Sequence, residues 1–318
     1  MRKFVSIVVI LAIAFLITNN SYTDVYVTHL KQMEAVAVTS QKDSLFQEII
    51  EKAKGYEVEP VDAKVDPVWK AIPGYNGLKV DVKASHEKMK KTGEFDQSKL
   101  VFNQVPPKVN LTDLPPTPVY KGHPDKPMVS FIVNVAWGNE YLSDILATLK
   151  KHKVKVSFFL EGRWVQNNPE LAKMIVDGGH EVGNHSFTHP DMQKISSARI
   201  REEIKKTNDV IEATTGKVST WLAPPSGSYR DEVVQIAATE FKLGTVMWSV
   251  DTIDWRKPSP DELIQRVMSK VHNGALILMH PTASTANALD QLIIQLKAKK
   301  LQISTVSDLV NTERIIQK

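Results

Sequence analysis

Two histidines four residues apart, His185 and His189, are the strongest chemical signal in this sequence. They lie where a strand-like run, His-Glu-Val at 180–182, gives way to a turn that contains Ser186, Thr188 and Pro190. Imidazoles at this spacing in one short segment can point at a common centre, which suits a divalent metal such as zinc. The same spacing also occurs in ordinary polar loops, so the pair needs support from residues elsewhere in the chain.

A second group of candidate residues follows two later apolar runs. His280 comes directly after the run 275–279, and Asp254 lies shortly after an earlier run. A carboxylate paired with an imidazole raises the basicity of the ring and fixes its tautomer, which makes a general acid. We therefore expect Asp254 to pair with His280. Trp255 and Leu278 could supply apolar walls for a sugar ring or an acyl methyl group, or they could be ordinary core residues.

These polar residues lie at the ends of apolar runs that alternate with helical patterns. The apolar runs predict strands at 129–135, 154–160, 180–182, 221–223, 245–250, 275–279 and 303–306. Helical spacing and capping residues predict helices at 43–54, 141–151, 169–177, 196–216 and 260–272. Such alternation, with about seven strands, favours a (β/α) barrel of parallel strands over an open doubly wound sheet. In a parallel barrel the active site forms at the C-terminal ends of the strands, where the histidines lie.

Composition excludes several classes of protein. The chain has 318 residues, of which 42% are hydrophobic and 24% charged, enough for one large α/β domain and a small module. Its formal charge of +4 suits attraction to an anionic surface such as a cell wall. No dense Lys/Arg stripe alternates with aromatic residues, which argues against nucleic acid. The absence of Gly-x-Gly-x-x-Gly and Walker-type motifs argues against nucleotide binding.

The N-terminal residues predict export. A basic start at residues 1–3 precedes an apolar run from Phe4 to Ile17, which is short for a membrane span but typical of a signal peptide. The nearest Ala-x-Ala triplet, Ala35 to Ala37, lies far downstream, so an uncleaved membrane anchor is the alternative. We expect the protein outside the cytoplasm, in the cell envelope, either secreted or membrane-anchored. The absence of cysteines is compatible with this location.

Proline density marks a boundary in the chain. Seven of the 17 prolines lie between 105 and 127, which predicts extended backbone and excludes helix. We divide the chain into a signal peptide or membrane anchor at 1–20, a small α+β module at 21–104, a Pro-rich strap at 105–127 and the barrel domain at 128–312.

Four motifs in this order resemble the polysaccharide deacetylase family, also called the NodB-homology domain or carbohydrate esterase family 4. They are Gly-His-Glu-Val-Gly-Asn-His-Ser-x-x-His at 179–189, Ala-Pro-Pro-Ser-Gly at 223–227, Asp-Thr-Ile-Asp-Trp at 251–255 and Leu-Met-His at 278–280. The resemblance covers residues from about 125 to about 310. It implies a distorted (β/α) barrel and the metal-dependent removal of acetyl groups from N-acetylated polysaccharides such as peptidoglycan or chitin.

The resemblance also implies a role for each matching residue. Zinc or another divalent metal would be bound by His185 and His189. The general acid would be His280, oriented by Asp254. The residues that would line the substrate pocket are Trp255, Leu278 and Pro225.

Three positions depart from the family pattern. Where the family has Thr-Phe-Asp-Asp-Gly, this chain has Asn-Val-Ala-Trp-Gly at 134–138. Ala136 replaces the general base, Trp137 the third metal ligand, and Ala223 the arginine that orients the base. We therefore expect weak or absent metal binding, little hydrolysis, and a Trp137 ring that fills the metal hollow. Asn134 and Glu140 are the nearby residues that could compensate.

Three functions are compatible with these residues. The favoured one is an exported protein that binds or acts on N-acetylated cell-envelope glycan, with reduced or no deacetylase activity. The second is a working metal-dependent N-deacetylase with an altered site. The third is a non-catalytic scaffold whose small module and Pro-rich strap bind a protein partner. In each case the N-terminal segment would provide the contact with the membrane.

Overall fold

The computed structural model describes Thr23 and residues 44–316. The predicted signal segment, Phe4 to Ile17, and the Ala35 to Ala37 triplet lie outside the described residues. Within the described part of the chain, no helix is both long and apolar enough to cross a membrane. The chain divides into two compact units. Among the described residues, the smaller unit contains 44–58 and 78–103, and the larger unit contains 59–77 and 104–316.

The smaller unit combines helices with a short strand pair. Its helices are α1 (Ser44–Ala53) and α2 (Val82–Met89), and Asp81 caps α2 by accepting a hydrogen bond from the Ala84 N–H at 2.9 Å. Strand β3 (Gly77–Val80) pairs with β4 (Phe102–Val105) in a two-stranded sheet. The helices pack on a small apolar cluster, which includes Leu45, Ile49, Met89 and Leu100.

The larger unit begins with an antiparallel hairpin made of β1 (Lys64–Asp66) and β2 (Lys70–Ile72). Its main sheet contains eight strands: β5 (Met128–Val135), β6 (Ser157–Leu160), β7 (Glu181–Asn184), β8 (Trp221–Leu222), β9 (Gly244–Thr245), β10 (Val250–Asp251), β11 (Leu276–Met279) and β12 (Gln302–Ser304).

Seven of these strands are neighbours in the order β10-β11-β5-β6-β7-β8-β9, and every pair is parallel. The eighth, β12, pairs with the first residues of β5. The sheet is a curled half-barrel flanked by helices, so the predicted distorted (β/α) barrel of about seven parallel strands is confirmed.

Helices cover the outside of this sheet. They are α3 (Asn139–Lys151), α4 (Gly162–Asn167), α5 (Pro169–Asp177), α6 (Ser197–Thr215), α7 (Asp231–Phe241), α8 (Pro260–Lys270) and α9 (Ala283–Ala298). The short helix α10 (Val306–Val310) instead packs on the inner side, in a cluster with Met128 and Ile132. The predicted bounds of α5 are those observed. As predicted, α6 ends at Gly216, which adopts a φ of 68° that favours glycine.

Side chains of the central strand β5 alternate between two apolar clusters. One cluster also contains residues of the outer helices, and the β5 side chains in it are Val129, Phe131, Val133 and Val135. Met128 and Ile132 belong to the second cluster. Because strand side chains alternate, Asn134 points to the same inner side as Ile132, and position 136 continues that direction at the top of the barrel.

One predicted strand, 245–250, is wrong as a single element. It forms two short strands, β9 and β10, and Val119 pairs with Val246 in the chain between them. The Val119 N–H donates to the Thr245 carbonyl at 2.9 Å, and the Met247 N–H donates to the Val119 carbonyl at 2.8 Å. The predicted strand at 303–306 also ends early, since Thr305 accepts a hydrogen bond from Asp308 N–H and starts α10. Contrary to the expected exclusion of helix from 105–127, a short 3₁₀ turn occupies Leu111–Asp113.

Candidate functional site

The loop after β7 carries the two histidines of the first motif. The His185 side chain is almost fully buried, and its Nδ1 lies 2.7 Å from the Ala223 carbonyl oxygen. A carbonyl only accepts hydrogen bonds, so Nδ1 carries the proton and Nε2 keeps a free lone pair. Burial, reinforced by the neighbouring His189 ring, lowers the pKa of His185 to about 3. This imidazole is neutral at physiological pH and is oriented as a metal ligand would be.

His189 lies beside His185, with the two ring centroids 5.0 Å apart and the rings nearly perpendicular. Ser186 and His189 both adopt left-handed backbone angles, with φ values of 63° and 55°. Burial lowers the pKa of His189, and the Glu161 carboxylate partly opposes that effect. The tight, left-handed turn therefore places both imidazoles on one side of the loop.

Glu203 on α6 holds this loop in place. Its side chain is 1% exposed, and its carboxylate accepts hydrogen bonds from the backbone N–H groups of Phe187 and Thr188, both at 2.7 Å. The Thr188 hydroxyl and the Arg199 guanidinium are further donors, at 2.8 and 2.6 Å. Sequence reasoning missed Glu203, although an acidic residue within the apolar face of a predicted helix was a usable signal.

Asp254 and His280 are in contact, as expected from their positions after β10 and β11. The fully buried Asp254 carboxylate accepts a hydrogen bond from His280 Nδ1 at 2.8 Å and another from the His280 backbone N–H at 2.5 Å. The Thr285 hydroxyl donates to the same carboxylate at 2.7 Å. Three donors therefore satisfy the buried charge and fix the orientation of the imidazole.

Trp137 lies parallel to His280 at the end of β5. The ring centroids are 5.8 Å apart with an interplanar angle of 10°, and Trp137 is 47% exposed. The indole stacks on the imidazole and remains half in solvent, and the expectation that it fills the metal hollow stays a prediction. Gly138 makes this arrangement possible, since any side chain there would overlap the Pro281 carbonyl.

Glu140 does not complete a metal site with the two histidines, and no hydrogen bond joins Asn134 to them in the described part of the chain. Asn134 is buried with its Oδ1 lacking a hydrogen-bond partner, and Glu140 is exposed in the first turn of α3. Across the residues that the structure describes, no three His, Cys, Asp or Glu side chains are grouped so as to hold a metal ion. A catalytic zinc uses three protein ligands. The residues present do not fit that requirement.

The residues implied for the substrate pocket differ in exposure. Trp255 is 52% exposed, with the Arg256 guanidinium 4.7 Å from its ring centroid. Leu278 is buried in the inner apolar cluster, and Pro225 is buried at the start of a 3₁₀ turn. Ala223 is buried and contributes its carbonyl to His185. Of the implied pocket residues, Trp255 is the one that presents a large apolar face to solvent.

An open hollow of about 490 Å³ adjoins Trp137. Its lining residues include Asn139, Glu161, Arg163, Trp164 and Asn168. The buried Glu161 carboxylate accepts from the Trp164 backbone N–H at 2.6 Å and from Arg163 Nε at 3.1 Å. Sequence reasoning missed this hollow, although Glu161 and Arg163 directly follow a predicted strand. An aromatic ring beside charged and amide groups is the usual composition of a sugar-binding surface.

Comparisons with known proteins agree with this geometry. The polysaccharide deacetylase family model matches residues 121–242. The uncharacterized protein YlxY of Bacillus subtilis is 52% identical over 319 residues, which cover 99% of both chains. The peptidoglycan-N-acetylmuramic acid deacetylase PdaA of Bacillus subtilis is 31% identical over 198 residues, covering 60% of this chain and 74% of PdaA.

Among solved structures, wild-type BA3943 of Bacillus anthracis, described as a CE4 family pseudoenzyme, is similar over 86% of this chain and 97% of its own. The TM-score is 0.82 and the sequence identity 55%. A mutant of BA3943 described as having restored enzymatic activity is 54% identical, also with a TM-score of 0.82, over 86% of this chain and 100% of its own.

Proposed function

The chain belongs to the polysaccharide deacetylase family, carbohydrate esterase family 4. From that premise we propose that it is an exported member of the family that binds N-acetylated cell-envelope glycan and does not hydrolyse it at an appreciable rate. Peptidoglycan or a chitin-like polymer would be the ligand. The observation that carries this proposal is the Trp137 indole, half exposed and stacked on His280 where the family has a metal-binding carboxylate.

The loss of hydrolysis follows from what the site lacks. Ala136 cannot take a proton from water, and loss of a general base typically lowers a rate by about 10² to 10⁴-fold. His185 and His189 remain without an anionic third ligand, so a divalent cation loses both a donor and the charge that partly neutralises it. His280 keeps its orienting carboxylate and could still donate a proton, but no residue generates the nucleophile.

Glycan binding requires less of the site than hydrolysis does. The exposed faces of Trp137 and Trp255 can each pack against the apolar face of a sugar ring. The polar groups of the hollow beside Trp137 can accept and donate hydrogen bonds to hydroxyl and acetamido groups. PdaA is a peptidoglycan-N-acetylmuramic acid deacetylase, and the similarity to it supports peptidoglycan as the ligand class.

Retention on insoluble peptidoglycan or chitin tests this proposal. Trp137→Ala and Trp255→Ala should each weaken binding, on the order of tenfold for a lost ring contact of roughly 1.4 kcal/mol. Trp69→Ala is the matched control, since Trp69 is partly exposed on the β1–β2 hairpin rather than at the carboxyl ends of the sheet strands. Equal retention of all three folded variants would contradict a binding site at Trp137 and Trp255.

The intact Asp254–His280–Thr285 network favours a second candidate, a metal-dependent N-deacetylase with an altered site. Acetate release from N-acetylglucosamine oligomers by wild-type protein, abolished by His280→Gln, would support it over the binding protein. Absence of both acetate release and glycan retention would instead favour a scaffold for a protein partner.

Export is a separate part of the proposal. The apolar run Phe4 to Ile17 should direct the chain across the membrane and leave residues after about 21 outside. Protease added to protoplasts, whose membrane is intact but whose wall has been removed, should degrade the protein. Recovery of the full-length chain in the soluble cytoplasmic fraction would contradict export without bearing on glycan binding.

A further inference from the structure

The β1–β2 hairpin of the larger unit presents an apolar surface to solvent. Twelve large hydrophobic side chains are exposed in the described part of the chain, and four of them lie at 61–69, in this hairpin and just before it. They are Val61, Val65, Val68 and Trp69, with exposures of 40%, 48%, 72% and 37%. Val68, at the turn, is the most exposed of the twelve. A cluster of this kind differs from scattered surface residues, which need no explanation.

Hydrogen bonds hold the turn in this arrangement. Asp66 Oδ1 accepts from the backbone N–H groups of Val68 and Trp69, at 2.9 and 2.8 Å. Lys70 closes the turn in a left-handed conformation with a φ of 60°. At the base of the hairpin, the buried Ala71 donates its N–H to the Pro118 carbonyl at 3.1 Å. The turn is therefore built to keep Val68 outside rather than to fold it inward.

Positive charge surrounds the apolar tip. Lys64 and Lys70 flank it on the two strands, and Lys121 Nζ lies 5.1 Å from the centroid of the Trp69 ring. Two nearby acids, Asp62 and Asp66, offset part of this charge, and three lysines against two carboxylates leave the tip with a net charge of +1. Asp66 accepts from the turn itself, and Asp62 accepts from the N–H groups of Lys108 and Val109.

We propose that this hairpin tip is a contact site for an anionic lipid surface, which Val68 and the Trp69 edge enter while the lysines face the headgroups. The transfer of aliphatic side chains from water to hydrocarbon lowers the free energy of the system. Tryptophan is enriched at the membrane–water interface, and lysines are attracted to anionic headgroups. A glycan suits the tip less well, because valine side chains offer no hydrogen bonds to hydroxyl groups. The proposal does not depend on the glycan site.

A fluorescent label at the tip tests this inference in the full-length protein. The chain has no cysteine, so Val68→Cys creates a unique position for an environment-sensitive nitrobenzoxadiazole dye. Val218→Cys is the matched control, because Val218 is 70% exposed and lies outside the hairpin. With vesicles of phosphatidylglycerol and phosphatidylcholine, we expect a blue shift and brighter emission at position 68 and neither change at 218.

The charge component has its own readout. Lys64→Gln in the Val68→Cys background should raise the vesicle concentration for half-maximal signal about fivefold, as expected for loss of one lysine near an anionic surface. An unchanged titration would overturn the anionic preference.

Four other results would overturn the proposal itself. The first two are no shift at position 68 and equal shifts at both positions. The third is emission that is already blue-shifted without vesicles, which would indicate that another part of the chain covers the tip. The fourth is a shift produced by soluble teichoic acid but not by vesicles.

Discussion

Trp137 and His280 form a parallel ring pair at a position where the family has a metal-binding carboxylate. In the proposed roles, this one side chain would both replace a ligand beside His185 and His189 and stack on the imidazole of the general acid. Ala136 and Ala223 would remove the base and its orienting cation without adding a ring contact of this kind.

The double substitution Ala136→Asp with Trp137→Asp should restore zinc binding. It supplies the missing carboxylate ligand beside two imidazoles that are already neutral and close together. Adding Ala223→Arg should then raise deacetylation, because a buried guanidinium would orient the new base. Calorimetric titration with zinc and measurement of acetate release check the two steps.

Trp137→Ala alone is the control for this experiment, since it uncovers His280 without providing a ligand. It should leave zinc binding as weak as in the wild type. The BA3943 mutant described as having restored enzymatic activity gives a precedent in a relative 54% identical to this chain. Wild-type protein that already binds one zinc tightly and releases acetate at a comparable rate would contradict this account.

The buried Asp254 carboxylate gives a second prediction for a single side chain. Thr285→Val removes one of its three hydrogen-bond donors and should lower the free energy of unfolding by about 1.5 to 3 kcal/mol, the usual range for a bond to a charged group. Urea denaturation measures the loss. Thr239→Val, on the exposed side of α7, is the control and should change stability by less than about 0.5 kcal/mol.

At the level of elements, helix α6 supports the loop that carries the histidines. Glu203→Ala removes the acceptor of the Phe187 and Thr188 N–H groups and leaves both without a partner. We expect the free energy of unfolding to fall by about 3 kcal/mol or more.

The neighbouring Glu202→Ala is the matched control for that prediction. Glu202 is 40% exposed and pairs with Arg199 and Lys206 at the surface, so its loss should cost less than about 1 kcal/mol. Equal losses in the two variants, measured by urea denaturation, would show that Glu203 does not hold the loop.

Prediction from sequence succeeded where local signals determine the element. Pro169 at the first turn and Gly178 after the last gave the bounds of α5 directly. The Asp254–His280 contact followed from two residues at the carboxyl ends of parallel strands. Between β9 and β10 the chain pairs with Val119, more than 100 residues away, and no local pattern encodes such a pairing.

The same limit applies within the candidate site. The types of residue at 136, 137 and 223 predict a missing base, ligand and arginine, and these roles stay predictions. The direction of the Trp137 ring depends on Gly138 and on the backbone after His280, and the support from Glu203 depends on how α6 packs. Both are tertiary contacts between segments that the sequence does not place relative to one another.

At the level of the whole molecule, buried imidazoles make stability depend on pH. Burial, reinforced by Lys155, lowers the pKa of His180 from its ordinary value of 6.5 to about 4. The unfolded chain therefore binds more protons between pH 6.5 and 4. The contribution of His180 is complete above pH 6.5 and is lost as the pH falls toward 4.

His180→Asn should flatten this dependence, because the amide keeps an acceptor for the Val156 N–H but does not titrate. Between pH 7.5 and 5 the wild type should lose about 2 kcal/mol more than the variant. Urea denaturation of both proteins across this range gives the difference. Parallel stability curves would show that His180 is not buried in its neutral form.

The contacts of Glu203 and the bond from His185 to the Ala223 carbonyl have a consequence for evolution. They hold the loop that carries the histidines through hydrogen bonds between protein groups. We therefore expect substitutions at 136, 137 and 223 to change catalysis while this loop keeps its place. Hydrolase and binding protein would then be neighbours in sequence space, separated by a few substitutions after β5 and β8.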